Sequence, residues 1–180
     1  MGVLFDYFSA GTDEEAAAVI DRPGRPETEE VVVPEAEPKR GIFDRKRRPA
    51  APVTDAVAEQ FRYDVVSVTD IDPVVQLGTL EELLTGRPYD DIVDDPRSGH
   101  AVAVRSGGER LVLTLTDSVC AGLANASDDF LVQVAGPWSE TGEFWGAADP
   151  KVLADFLKEL SGLARRAEAS GKRLYCWASV

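Results

Sequence analysis

The chain has 180 residues and a net charge of −13, with 32 Asp and Glu against 19 Lys and Arg. That length predicts one domain whose core needs no disulfide or metal to fold. The negative charge argues against nonspecific binding to nucleic acid, whose phosphates would repel this surface, and it is compatible with a soluble protein or a basic partner.

The cysteines and the hydropathy pattern predict a cytoplasmic protein. Cys120 and Cys176 both lie in apolar patterns, which indicates buried thiols rather than a disulfide framework. The start of the chain lacks the basic region of a signal peptide, and no run of eighteen apolar residues could cross a membrane. We therefore expect no membrane association.

The first part of the predicted domain comprises residues 1–21. An aromatic-rich run over 3–9 is typical of a strand. Thr12, followed three residues later by Glu15, forms a capping box that predicts a short helix after the strand.

Residues 22–60 differ in composition from the rest of the chain. They hold six of the eleven prolines, are acidic in their first half and carry a basic run over 39–48. Their low apolar content predicts a disordered insert. The basic run is compatible with nuclear localisation or nucleic-acid binding, but we favour a solvated block that folds back on the acidic body. Ile42 and Phe43 are its one sign of a docking motif.

Residues 61–180 are predicted to complete the same domain. A strand over 61–68 precedes Asp72, whose Asp-Pro pair predicts the start of a helix that ends at Gly86. Two β-branched runs, 101–104 and 111–115, flank paired glycines and predict a hairpin.

Two further helices are predicted before a loop of large aromatics. Thr116 or Asp117 caps the first, and Ser127 caps the second, which should end at the Gly136–Pro137 pair. The loop residues that follow could line a pocket or an interface: Trp138, Glu140, Glu143, Phe144 and Trp145. The alternative, which we favour slightly, is that its aromatics close one end of the core.

The last thirty residues carry the clearest pattern in the chain. Asp149 is a good N-cap, Pro150 suits the first helical position, and apolar residues then recur at helical spacing as far as Gly171. The terminal strand, 173–180, has two uncharged faces beyond Arg173, so we expect it inside a sheet with the helix on one side.

Common catalytic motifs are missing from the sequence. It contains no P-loop, no Gly-x-Gly-x-x-Gly, no His-Glu-x-x-His and no Gly-x-Ser-x-Gly, and a single histidine with two separated cysteines excludes a structural zinc site. We therefore predict no catalytic residues, no metal and no cofactor.

Two sets of residues remain as weaker hypotheses. One is the acidic segment before His100, which could bind a divalent ion through oxygen ligands but more simply forms a solvated loop; it comprises Asp90, Asp91, Asp94 and Asp95. The other joins His100 to Ser118 or Cys120 as nucleophile, with Asp117 as the orienting acid. For Cys120 we favour a packed, unreactive thiol.

Five blocks of the sequence resemble the YfbM-like family of small bacterial proteins: MGVLFDYF, TDEEAAAVI, IDPVVQLGTLEELLTG, LVLTLTDSVCAGLANAS and ADPKVLADFLKELSGLARRAEASGKRLYCW. Together they cover about two-thirds of the chain. The resemblance implies an α+β fold with helices packed on a sheet, and it assigns no activity or catalytic residue.

These observations predict a single α+β domain with a mostly antiparallel sheet and helices packed on it. The predicted function is that of a non-enzymatic protein that binds a protein partner in a regulatory or neutralising role. The candidate binding residues are His100, Trp138, Glu140, Glu143, Phe144 and Trp145. The alternative is a small hydrolase or a divalent-metal enzyme that uses the segment from Asp90 to His100.

Overall fold

Five antiparallel strands form one sheet in the computed structural model, which describes residues 3–21 and 63–179. The strands are β1 (Leu4–Ala10), β2 (Val65–Thr69), β3 (Ala101–Arg105), β4 (Arg110–Thr114) and β5 (Arg173–Ser179). Their order across the sheet is β2-β1-β5-β4-β3. The predicted disorder of residues 22–60 lies outside the described residues.

The C-terminal strand β5 is the middle strand of the sheet. It pairs with β1 from Arg173 to Ser179 and with β4 on its other side. Residues 174–178 are all buried, as expected for a strand with no charge on either face. The prediction of an internal terminal strand is confirmed.

Six α-helices and three short 3-10 turns accompany the described strands. The helices are α1 (Asp13–Ala17), α2 (Val75–Thr85), α3 (Tyr89–Val93), α4 (Asp117–Asn125), α5 (Asp128–Ser139) and α6 (Pro150–Ala169). The 3-10 turns are Ala18–Asp21, Ser106–Gly108 and Gly142–Phe144. Together with the sheet they form the predicted single α+β domain.

Helix α6 packs along one face of the sheet. The Asp149 carboxylate accepts a hydrogen bond from the Lys151 amide at 2.8 Å, and Pro150 occupies the first turn. Leu157, Leu160 and other apolar residues of the helix are fully buried against β1, β2 and β5. The prediction for this helix and its cap is confirmed.

The opposite face of the sheet has its own apolar cluster. Phe8, Val112, Tyr175 and Trp177 pack there with residues of α1 and the turn that follows it. The sheet is therefore covered on both faces, which explains why its central strands lack the polar alternation of a half-exposed sheet.

Helix α5 does not end at Gly136–Pro137, so that prediction is wrong. The helix continues to Ser139 with Pro137 inside it. Proline in a helix interior costs about 3 kcal/mol, but the extra turn places Trp138 entirely within the core. Loss of a buried tryptophan costs about 3–5 kcal/mol, so burial of this side chain offsets the helix defect.

Candidate functional site

The predicted aromatic loop divides into a buried part and an exposed part. Trp138 is fully buried, and its ring meets Phe144 edge-on with the ring centroids 5.2 Å apart. Trp145, by contrast, is 90% exposed. Trp138 thus closes the end of the core, whereas Trp145 presents its indole to solvent.

Trp145 and Phe144 border a groove of about 680 Å³. One wall comes from the start of β1 and the end of β2, including Phe5 and Val68, and the other comes from the start of α6, including Val152 and Leu153. The groove is largely apolar, and it lies where two strands that are far apart in sequence meet the first turn of the C-terminal helix.

Gln76, in the first turn of α2, joins the groove to the core. Its backbone carbonyl accepts a hydrogen bond from the Trp138 indole at 2.9 Å. Its side-chain oxygen accepts from the Asp72 amide at 3.0 Å, and its side-chain nitrogen donates to the Glu143 carbonyl at 3.4 Å. These contacts hold the 3-10 turn of the loop in place beside α2.

The polar part of the groove is acidic. Its lining includes four carboxylates and, among the residues that the structure describes, no Lys, Arg or His; the four are Asp70, Asp72, Glu143 and Asp149. The Asp72 carboxylate accepts hydrogen bonds from the Val74 amide at 2.7 Å and from the Val75 amide, the first of α2, at 2.9 Å. The groove is therefore electrostatically suited to a cation and unsuited to an anion.

Glu143 stands apart from the other three acids. Its Oε2 atom is buried and has no hydrogen-bond partner within residues 3–21 and 63–179. Tyr89 lies close by: burial raises the pKa of its phenol, and the charges of Glu143 and Asp72 raise that pKa further. The tyrosine ring can approach α2 because Gly78 has no Cβ, which would lie 2.8 Å from the ring.

Two residues at the rim have a left-handed backbone. Asp70 has φ of 61° and Trp145 has φ of 49°. For a residue other than glycine this conformation costs of order 1–3 kcal/mol, and such strain is found most often at functional sites. At Trp145 the left-handed conformation accompanies an indole that lies almost entirely in water.

Three of the six predicted binding residues lie outside the groove: Trp138, which is buried in the core, and two exposed residues. His100 is exposed just before β3, where its carbonyl accepts from the Thr114 amide at 2.9 Å. Glu140 is exposed beyond the end of α5. Glu143, Phe144 and Trp145 are brought together in the groove, whereas His100 and Glu140 do not line it.

The acidic segment before His100 is tied to an arginine. Asp90 and Asp91 lie in α3, while the Asp95 carboxylate accepts from Arg87 at 2.9 Å. Across the described residues, no group of three or more His, Cys, Asp or Glu is arranged to hold a metal ion.

Ser118 belongs to a buried charge network rather than to a His100 pair. Its hydroxyl donates to the carboxylate of Glu81, which is 2% exposed, and accepts from Arg87 at 2.9 Å. Thr116 also donates to Glu81, at 2.5 Å. The network joins α2, the Arg87 loop and the start of α4.

The two cysteines are free thiols. Cys176 is buried, and Cys120 is half-buried on α4. Burial raises the pKa of the Cys120 thiol to about 12 and that of Cys176 well above its usual value. Neither therefore forms the thiolate that a nucleophile requires at neutral pH.

Reasoning from the sequence missed Asp70, Asp72 and Val152 as residues of the groove. The Asp-Pro pair marks Asp72 as the start of a helix, but no local pattern marks the other two as neighbours of the loop. Asp70 and Trp145 are seventy-five positions apart, and they reach one groove only because α6 packs on the sheet and α2 packs against the 3-10 turn Gly142–Phe144.

Comparison of the chain with protein-family models, with curated proteins and with solved structures gives no match. The resemblance to the YfbM-like family accordingly stays a prediction. None of the helices within the described ranges is long and apolar enough to cross a membrane.

Proposed function

We propose that this chain is a non-enzymatic binding protein whose groove takes a short segment of a partner protein, in a regulatory or neutralising role. The segment carries positive charge together with at least one large apolar side chain. The observation that carries the proposal is the exposed indole of Trp145 beside an apolar groove without a cationic residue in its described lining.

The apolar surface supports a docking role. Trp145 is 90% exposed, and Val152, which also lines the groove, is 65% exposed. Burial of a tryptophan removes roughly 200 Å² from water, worth about 5 kcal/mol gross at about 25 cal/mol/Å². Part of that gain is lost to ordering on association, but tryptophan is among the residues that most often contribute a large share of the binding energy of an interface.

The negative charge of the protein and of its groove favours a positively charged partner segment. The described residues contain ten Lys and Arg and twenty-four Asp and Glu, so they are more acidic than the whole chain. The ion pairs formed between described residues use the acids Asp13, Asp64, Glu81, Asp95, Asp117 and Asp128. All of these lie outside the groove, so its four carboxylates are available to a basic segment.

A peptide segment fits the groove better than a small cation. Among the described residues, Trp145 and Val152 are the two most exposed large apolar side chains, and both line the groove, one from the loop after α5 and the other from α6. A ligand that buries both must span more than one residue, and an extended chain does this with successive side chains.

Selection from a random dodecapeptide library displayed on phage tests the proposal. The wild-type chain should enrich peptides that combine Lys or Arg with Leu, Ile, Phe or Trp. Trp145→Ala should lose this enrichment, while Phe130→Ala, which removes an exposed aromatic ring from α5 away from the groove, should retain it.

The proposal is overturned if no peptide is enriched, or if Trp145→Ala enriches the same peptides as the wild type. Enrichment of acidic peptides would also overturn it, because the groove would then attract the charge that its lining should repel. Circular dichroism and thermal melting of each variant show that a lost enrichment does not reflect unfolding.

A further inference from the structure

We infer that the partner segment places an arginine side chain against the Glu143 carboxylate, and that Glu143 is the specificity-determining residue of the groove. This inference rests on the proposed function, since it names the side chain that the groove recognises. It does not follow from the acidic surface alone, because Glu143 differs from the other acids in how its oxygens are satisfied.

Three of the four groove carboxylates already accept hydrogen bonds from backbone amides. Asp70 accepts from the Val3 amide, Asp72 from the Val74 and Val75 amides, and Asp149 from the Lys151 amide. Glu143 engages the fold through its backbone carbonyl instead, and its Oε2 atom is buried without a partner among the described residues. Glu143 is thus the one groove carboxylate that accepts no backbone amide within the described residues, so its charge is the one left for a donor from a ligand.

The surroundings of Glu143 favour a guanidinium as that donor. Glu143 and Asp72 both line the groove, so two negative charges lie in the same part of it. Trp145, two residues beyond Glu143, adds an exposed indole face. Arginine stacks on aromatic rings, is more weakly hydrated than lysine, and can give two hydrogen bonds to a carboxylate.

Among the described residues, no Lys or Arg side chain of this chain forms an ion pair with the Glu143 carboxylate. The arginines that form ion pairs there do so with acids outside the groove, and Lys151 contacts Asp149 through its backbone amide. In our proposal the cation comes from the bound segment, which is the chemical reason for a positively charged partner.

A double-mutant cycle tests the inference. The probe is the tightest dodecapeptide from the phage selection, made with its arginine and with citrulline, which has the same shape without the charge. With the wild-type chain at 0.15 M salt, citrulline should raise the Kd at least tenfold. With Glu143→Gln, the same replacement should change the Kd less than threefold.

Glu140→Gln is the matched control, because it removes the same charge three residues away, outside the groove lining. This variant should show the wild-type discrimination against citrulline. Since Glu143 holds an unpartnered buried oxygen, Glu143→Gln should melt at the wild-type temperature or above it, which separates a binding effect from unfolding.

Two outcomes overturn the inference while the proposed function stands. One is that the selected peptides depend on Trp145 but contain no arginine. The other is that citrulline weakens binding equally for the wild type and for Glu143→Gln. Loss of all selection by the wild-type chain is a different result, because it overturns the proposed function itself.

Discussion

Val3 and Asp70 form two reciprocal hydrogen bonds at the rim of the groove. The Asp70 amide donates to the Val3 carbonyl at 2.9 Å, and the Val3 amide donates to the Asp70 carboxylate, also at 2.9 Å. The pair continues the β1–β2 ladder by one step beyond Leu4 and Thr69. It also holds Asp70 in its left-handed conformation, with φ of 61°, where aspartate is better tolerated than most residues.

Asp70→Ala should lower the free energy of unfolding by about 2 kcal/mol. It removes one hydrogen bond worth about 1 kcal/mol, and alanine lacks the local side-chain hydrogen bond that lets aspartate offset the left-handed conformation, whose cost is about 1–2 kcal/mol for a residue with a Cβ. Asp70→Asn, which keeps an acceptor and tolerates this φ, should change it by less than about 0.5 kcal/mol. Urea unfolding measures both values.

Asp70→Gly separates the two causes, since glycine accepts the backbone conformation but cannot accept the Val3 bond. The free energy of unfolding of Asp70→Gly should therefore lie between those of Asp70→Ala and Asp70→Asn. Equal stability of the Ala and Asn variants would show that neither the bond nor the conformation at Asp70 matters.

Trp145→Gly should stabilise the free protein by up to about 1 kcal/mol, because glycine relieves the strain at φ of 49° and the exposed indole contributes little to the core. Trp145→Ala, which keeps the strain, should leave stability nearly unchanged. Both variants should lose the peptide selection described above. Thermal melting and urea unfolding measure the stabilities.

Tryptophan fluorescence checks the same residue directly. Trp138 and Trp177 are buried, so Trp145 should account for nearly all quenching by acrylamide. The glycine variant should therefore be almost unquenched, and a saturating peptide should protect the wild type to a similar degree. Strong quenching that persists in Trp145→Gly would show that another tryptophan is open to solvent.

Local signals predicted much of the fold. The Asp149–Pro150 cap, the capping residues Thr12 and Ser127 and the uncharged terminal strand depend on neighbours within a few residues, and the structure has each of them. The end of α5 could not be predicted in this way, because it depends on a hydrogen bond between Trp138 and the Gln76 carbonyl, 62 positions earlier.

Local sequence signals predicted less of the candidate site than of the fold. The sequence marks the aromatic loop as a binding surface or as core, and in the structure Trp138 takes the second role while Trp145 is exposed. Nothing local distinguishes these two tryptophans. Glu81 illustrates the same limit: it sits beside Glu82 in an ordinary helix, yet it is buried while Glu82 is exposed.

Glu81→Gln should lower the free energy of unfolding by about 2 kcal/mol. The change weakens the charged hydrogen bonds that the carboxylate accepts from Thr116, Ser118 and Arg87, which are worth about 1.5–3 kcal/mol each when intact. Glu82→Gln is the matched control on the exposed neighbour and should cost less than about 0.5 kcal/mol. Equal effects of the two changes in urea unfolding would contradict the assigned network.

Tyr175 should make the protein less stable in alkali. Burial and its hydrogen bond to Asp13, 2.7 Å long, raise the pKa of the phenol to about 12. An unfolded tyrosine ionises near pH 10. Between those values the unfolded chain binds fewer protons than the folded one, so stability is full below about pH 10 and falls as the pH rises toward 12.

Tyr175→Phe should therefore flatten the alkaline fall measured by urea unfolding between pH 9 and pH 12, while it lowers stability at neutral pH. It should also raise the pKa of Asp13, because the Tyr175 hydroxyl is the main reason that this pKa is lowered. An Asp13 titration by NMR that is unchanged in the variant would exclude this hydrogen bond.

Leu160→Ala tests the packing of α6 on the central strands. Leu160 is fully buried in the main core cluster, and truncation of such a leucine costs about 2–5 kcal/mol. Glu168→Ala on the exposed side of the same helix should have almost no effect. A small effect of Leu160→Ala in urea unfolding would mean that the core relaxes around the lost side chain.

Amide hydrogen exchange tests the central position of β5 itself. Because β5 lies between β1 and β4, its amides cannot reach water unless the sheet opens on one side or the other. Amides of Leu174, Cys176 and Ala178 should exchange only through global unfolding, so their free energies of opening should match the free energy of unfolding and fall with it in Leu160→Ala. Those of edge-strand residues such as Val104, which is 48% exposed, should exchange faster through local opening. Fast exchange at the three β5 positions in an otherwise protected protein would place this strand at an edge and remove the core arrangement on which the groove depends.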